Sequence, residues 1–230
     1  GAQTAIGLDK ENSYAYDISV PLLSRREAHI VERLAQLLTP FGISPEPDEL
    51  IIEYFPSNDS RNFANQFLEN AKLKDKKIIG INISAGGNVR FWGVENFKKL
   101  IHYLEKNYPT YKILLLYNPD YSENALEIGA HFRSVTLSPI THTFDQFAAL
   151  IEKVNFLITP DTSAVHLAAA FAIPSVVLYV QSNPDLRIWD PYRTPCEPVI
   201  SRVDDLTTIT VEEVTSAVER LFQRTSQLIS

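Results

Sequence analysis

Asp161, Thr162 and Ser163 stand together directly after an apolar run, and His166 follows three residues later. The segment TPDTSAVHLAAAFAIP, residues 159 to 174, reads as a strand ending at Thr159, a break at Pro160, three residues of helix N-cap type, and then a helix of Ala, Val, Leu and Phe. A helix of that composition is expected to be buried all round, and its alanines let it press close to a sheet. Starting at a strand's carboxyl end, it would aim free backbone N–H groups and a positive dipole end at one spot, which is an anion site. His166, one turn inside, can point there too. A plainer reading stays open, with Asp161 only a cap and His166 only a satisfied core histidine. Against it, the imidazole interrupts an apolar helix beside a cluster of hydroxyls, where burial without a partner is costly.

A second candidate follows the run IIGINIS. In ISAGGNVRFW, residues 83 to 92, Ser84, Gly86 and Gly87 allow a ligand close to the backbone, and Arg90 supplies a permanent charge for a phosphate. The loop is neither GxGxxG nor GxxxxGK[ST], so the dinucleotide and Walker-type readings lose their main support. A plain turn is the competing reading. In the third segment, YNPDYSE (117 to 123), Asn118 and Asp120 could hold ribose hydroxyls, although Asn-Pro-Asp is also an ordinary turn opener. SPITHT, 138 to 143, lies where a base could rest against backbone and Ile140, or is a simple connection.

Other chemistries find little support. No DxD pair is present to hold a metal diphosphate, the adjacent Asp204 and Asp205 reading as surface charge, and no GxSxG elbow appears. The single Cys196 cannot form an internal disulfide or a cysteine cluster, and the five histidines lack metal-ligand spacing, so no metal and no cofactor is expected. A reducing, cytoplasmic compartment is the simplest home. A net charge of -7 argues against a general nucleic-acid binder, which needs surplus Lys and Arg. No run reaches the roughly 18 apolar residues that span a bilayer, leaving only peripheral membrane contact. The absence of Met and the opening Gly1-Ala2 read as a cleavage scar on a piece of something longer.

The elements that must carry these residues are legible from residue 78 onward. IIGINIS (78 to 84), KILLLY (112 to 117), SVTL (134 to 137), NFLIT (155 to 159), SVVLYV (175 to 180) and PVI (198 to 200) are apolar on successive residues, as strands buried on both faces are. Phe97, Leu100, Ile101 and Leu104 recur at helical spacing between them, as do Phe144, Phe147, Ala148 and Ile151. Alternating strand and helix implies right-handed crossovers and a doubly wound, Rossmann-like parallel sheet of the α/β class. Thr210 and Glu213 form a capping box for a last amphipathic helix. Gln181 to Pro198, with four prolines and the anchors Trp189 and Tyr192, reads as an ordered loop bordering a site.

The first 75 residues behave differently. TAIGL (4 to 8) reads as a strand, and Ser24 with Glu27 as a capping box ahead of Ile30, Val31, Leu34, Leu37, Leu38 and Phe41 on one helical face. The run around Pro45 and Pro47 is a linker candidate. One strand and one helix cannot close a core, so they either dock on the α/β domain after them or end a preceding domain.

ITPDTSAVHLAAAFAIPSVVLYV, residues 158 to 180, closely resembles the signature of the family 9 glycosyltransferases, the heptosyltransferases of lipopolysaccharide core synthesis. NISAGGNVRFWGVENFKKLIHYLE is similar to that family's loop with a basic residue two before a Trp, here Arg90 and Trp92. The 28 to 43 segment resembles the one joining the family's two domains. The resemblance implies a GT-B fold, with residues 1–47 a C-terminal remnant of the N-terminal acceptor domain plus linker, and 48–230 the Rossmann-like domain that binds a nucleotide-sugar donor such as ADP-heptose. It implies that Asp161, Thr162, Ser163, Ala164 and His166 surround the donor diphosphate, that Arg90 contacts phosphate, that Ser84, Ala85, Gly86 and Gly87 line the same pocket, and that Asp120 lies near the ribose. It also implies a lipid-linked acceptor at the inner face of the inner membrane. Two departures bear on mechanism. The family's acidic base lies early in the first domain, outside this chain, and Tyr179-Val180-Gln181 stands where Gly is usual after the proline-led strand. A nucleotide-binding module without turnover is the alternative, and an epimerase on the same fold would need an acid and base pair that is not evident.

Overall fold

The computed structural model describes residues 3–180 and 189–229. Its centre is a sheet of six strands, β3 (Lys77–Asn82), β4 (Tyr111–Leu116), β5 (Val135–Leu137), β6 (Phe156–Pro160), β7 (Ser175–Tyr179) and β8 (Cys196–Ile200). All neighbours pair parallel, in the order β5-β4-β3-β6-β7-β8. Every apolar run picked out from residue 78 onward is one of these strands, and β8 begins two residues before PVI. Its Pro198 is tolerated because β8 is an edge strand.

Two hydrophobic layers cover the sheet. On one face lie α3 (Val94–Asn107), α4 (Ser122–Gly129) and α7 (Val211–Ile229), whose Phe97, Leu100, Ile128, Val214 and Val218 pack on Ile79, Ile81 and Leu115. On the other lie α2 (Asn58–Asn70), α5 (Phe144–Ile151) and α6 (Ser163–Ala170), where Ala64, Leu68, Ala148 and Ala164 pack on Ile78, Leu114 and Leu157. The expected box ahead of α7 is present, the Thr210 N–H donating to Glu213 Oε2 at 2.7 Å and the Glu213 N–H to Thr210 Oγ1 at 3.2 Å. The sheet is doubly wound, as expected.

The chain runs outward from β3 through β4 to β5, then returns to the other side of β3 for β6. In an open parallel sheet that reversal leaves a crevice at the carboxyl ends of the two strands where ligands bind.

Upstream, β1 (Ile6–Leu8) pairs parallel with β2 (Ile18–Val20), a strand the sequence pattern did not announce. The helix after them starts later than Ser24 and Glu27 suggested. Ser24 only closes a turn, taking the Arg26 N–H on its hydroxyl, and the cap of α1 (Ile30–Ala35) is His29, paired with Glu32 in a capping box. A 3-10 stretch over Gln36–Phe41 comes next, because Pro40 lacks the N–H that an α-helix needs. The apolar face of this segment is only partly covered by the described residues: Ile30, Val31 and Leu37 are half-buried, but Leu34 is 49% and Phe41 66% exposed. Residues 50–57 lead into α2, tied to α5 by Asp145, which accepts from Tyr54 Oη, Ser57 N and Ser57 Oγ. Those hydrogen bonds, Ser57 foremost, hold the Asp145 carboxyl below its ordinary range. Of the loop expected from Gln181 to Pro198, residues 181–188 lie outside the described residues, as do Gly1 and Ala2.

Candidate functional site

At the crevice between β3 and β6 the carboxyl ends of the strands open into a cavity of about 400 Å³. That is within the size range of small-ligand sites. Ser84 and Ala85 from the loop after β3, Tyr117 and Asn118 after β4, Thr141 to Thr143 after β5, Phe144 and Phe147 on α5, and Thr162 and Ser163 at the start of α6 line it. One wall is aromatic and apolar. The opposite side presents hydroxyls, an amide and a helix start.

Asn82 organises the floor. It is 2% exposed, and its amide donates to Thr159 Oγ1 at 3.0 Å and to Thr162 Oγ1 at 3.3 Å, so one side chain ties the end of β3 to that of β6. Its Oδ1 accepts the Ser84 N–H at 3.1 Å, and Ser84 Oγ accepts the Asn118 N–H at 2.7 Å. Three loops are thereby fixed to one another before any ligand enters, which lowers the cost of binding.

Of the three cap-type residues before α6, Thr162 is the cap, its Oγ1 taking the Ala164 N–H at 3.3 Å. Ser163 is exposed at the mouth of the cavity, whereas Ala164 is buried inside the helix packing. The helix is mostly buried, with Ala164, Val165, Leu167 and Ala168 in the core. Asp161 sits just behind the cap. Burial raises its carboxyl above the ordinary value, Asp190 adds to the rise, and the Arg90 guanidinium opposes it. Arg90 ends a 3-10 turn over Asn88–Arg90 and is half-buried. Gly87 has φ +138°, a backbone state that side chains rarely adopt, and Gly86 has open space around it.

His166 does not line the cavity. It is half-buried with its ring edge-on to Trp189 at 5.9 Å, and burial first, then His29, lowers its pKa. Asp120 also stands apart from the main cavity, on an adjoining concavity with Ala85, Gly87, Phe91, Tyr121 and Asn124. The structure therefore groups Ser84, Ala85, Thr162 and Ser163, sets Asp161 and Arg90 within electrostatic reach of each other, and places Gly87 and Asp120 to one side. Val180, beyond β7, is buried, and Gln181 lies outside the described residues.

A half-buried carboxylate that accepts no hydrogen bond among the described residues costs stability when it is charged. A carboxyl whose folded pKa is raised stabilises fully below its unfolded pKa and loses that contribution as pH rises through the folded value. Asp161→Asn is accordingly expected to melt at or up to about 2 °C above the parent at pH 7, the gain vanishing toward pH 4. A drop in melting temperature at pH 7 would show the carboxylate to be a structural asset.

The match to known proteins agrees with this architecture. The model of "Glycosyltransferase family 9 (heptosyltransferase)" matches residues 1–213. Lipopolysaccharide heptosyltransferase 3 of Escherichia coli is 24% identical over 175 residues, which are 74% of this chain and 49% of that protein. Among solved structures, the glycosyl transferase family 9 protein from Veillonella parvula superimposes with a TM-score of 0.76 at 21% identity, covering 97% of this chain and 68% of that one. E. coli heptosyltransferase WaaC with ADP gives a TM-score of 0.71 at 21% identity, covering 91% and 61%. The chain spans less than half the length of the curated relatives it matches, 41% and 49%.

Proposed function

The chain belongs to glycosyltransferase family 9, the heptosyltransferases, and on that premise we propose that its cavity binds a nucleoside-diphosphate sugar such as ADP-heptose for transfer to a lipid-linked acceptor of the lipopolysaccharide core. The observation that carries the reading is the convergence of Ser84 and Ala85, from the loop after β3, and the Thr162–Ser163 helix start on one preorganised cavity at the strand-order reversal. Residues 48–230 would form the donor domain and residues 1–47 the end of the acceptor domain.

The chemistry is set by where charge develops. An acceptor hydroxyl oxygen bonds to the anomeric carbon as the carbon–oxygen bond to the diphosphate breaks, with inversion, and its proton passes to a base on the acceptor side. Negative charge accumulates on the departing diphosphate. With no DxD pair in the sequence to hold a metal there, fixed donors do this work: the Arg90 guanidinium, the Ser163 hydroxyl and the positive end of α6. Fixed donors in a water-poor site need no reorganisation at the moment of reaction. The Tyr117, Phe144 and Phe147 side would take the base and the Asn118 side the ribose, Asp120 contributing from the adjoining concavity. No helix among the described residues is long and apolar enough to cross a membrane. We place the reaction on the cytoplasmic side with only peripheral contact to the inner membrane.

Calorimetric titration with ADP, UDP, ADP-heptose and UDP-sugars tests the donor reading. ADP is expected to bind with a dissociation constant of about 10 µM to 1 mM, with little transfer by this chain alone. Saturating concentrations of all four classes giving no heat and no competition would sink the proposal.

A further inference from the structure

The segment before the six-stranded domain reaches the donor side through a small set of contacts at one turn. His29 Nε2 lies 2.8 Å from the Asp190 carbonyl oxygen, and its ring packs on Tyr192 with centroids 4.7 Å apart. Tyr192 Oη, on a side chain 8% exposed, lies 3.0 Å from the Pro47 carbonyl oxygen and 3.2 Å from Glu32 Oε1. Arg193 donates to the same Pro47 carbonyl at 3.0 Å and holds φ +55°, a left-handed state kept only where the surroundings enforce it. Trp189, at the start of this turn, lies edge-on to His166, three residues past Ser163 in α6.

The His29 ring can do this in one protonation state only. Its Nδ1 accepts the Val31 N–H at 3.2 Å as the cap of α1, so Nε2 carries the proton and donates to Asp190. A second proton would sit on Nδ1, facing a helix N–H and the positive end of the dipole. We propose that His29 is a positioning residue for the donor pocket, holding the 189–193 turn so that Trp189 stays against His166 on α6, the helix whose start lines the cavity, and coupling the upstream segment to nucleotide binding. The coupling half of this rests on the donor reading above. The groups that face the pair are Glu32 on α1, Asp190 and Tyr192 on the turn, and Trp189 against His166. Burial lowers both imidazoles, more than the Glu32 and Asp190 carboxylates raise His29.

The test reads tryptophan emission of the nucleotide-free chain between about pH 5 and 8, and ADP titration at both ends, for the parent, His29→Ala, His29→Gln and Trp189→Phe. Protonated His166 quenches Trp189, so parent emission should rise with pH through a midpoint below 6.5, a step that Trp189→Phe removes. His29→Ala should flatten that step and weaken ADP binding about 3- to 10-fold. His29→Gln keeps a donor and an acceptor and should restore both. His29→Ala with the parent's emission step and ADP affinity overturns the proposal. If the parent binds no nucleotide, the donor reading fails, while the emission step still decides the positioning role. If His29→Ala melts early, long-range proton–nitrogen spectra of the parent decide: His29 as the Nδ1–H tautomer refutes the arrangement.

Discussion

Arg90→Ala is expected to weaken ADP binding about 10- to 100-fold while moving the melting temperature by no more than about 2 °C. The guanidinium projects from a short turn and is half-buried, and the charge it influences is the Asp161 carboxyl behind the α6 cap. Removing it therefore takes little from the core. A charge-assisted pair to a diphosphate oxygen contributes roughly 1.5–3 kcal/mol, which gives the stated range. Arg90→Lys keeps the charge and loses the two-pronged geometry, so it should recover part of the loss and make the remaining affinity more sensitive to salt. A second signature separates this from general damage. Arg90 draws the Asp161 pKa down against burial and Asp190, so its removal should move the Asp161 titration, followed by carbon-13 carboxyl shifts, further upward. ADP bound equally well by Arg90→Ala, with an unmoved Asp161, would take Arg90 out of the site.

How much of this was legible beforehand depends on what each residue type reveals by itself. The six strands were readable because β3 to β8 lie in a sheet covered on both faces, so burial writes a continuous apolar run. That Ser84, Thr162 and Ser163 lie at the crevice was readable because strand ends in such a sheet point there, whereas Ala85 came only with the family resemblance. Asn82 was not singled out: it is one amide inside IIGINIS, and its role exists only because β6 brings Thr159 and Thr162 beside it. Phe144 and Phe147 read as a helix face, and nothing local said that part of that face is a cavity wall. α2 was missed because Asn58–Asn70 is mostly polar, its packing surface reduced to Ala64, Leu68 and the partly buried Phe63 and Phe67. The start of α1 shifted because Ser24 and Glu27 and His29 and Glu32 share one spacing. His29 prevailed through its second contact, to Asp190, which lies 161 residues away.

Trp92 carries the largest expected effect on stability. The loop that presents Ser84 and Arg90 is fixed at its start by Asn82 and Asn118, and two residues after Arg90 by this indole. Trp92 is fully buried, stands edge-on to Phe97 with centroids 5.2 Å apart, and donates its Nε1–H to the Ile209 carbonyl at 2.8 Å. Ile209 directly precedes Thr210, the cap of α7, so one hydrogen bond joins the loop after β3 to the start of the closing helix. Trp92→Ala leaves a cavity and an unpaired buried carbonyl together, a cost of about 3–5 kcal/mol and a fall of roughly 8–15 °C in melting temperature. Trp92→Phe separates the two contributions. It keeps most of the aromatic packing and orphans only the Ile209 carbonyl, for about 1–2 kcal/mol. Because the tether ends two residues from Arg90, Trp92→Phe should also weaken ADP binding about 2- to 5-fold at temperatures where it is fully folded. Urea unfolding and ADP titration of the three proteins measure both effects. If Trp92→Phe is as stable as the parent, water reaches the Ile209 carbonyl and the indole N–H is not what closes the loop onto α7. If it is destabilised yet binds ADP unchanged, the tether holds the fold and Arg90 is set by its own turn.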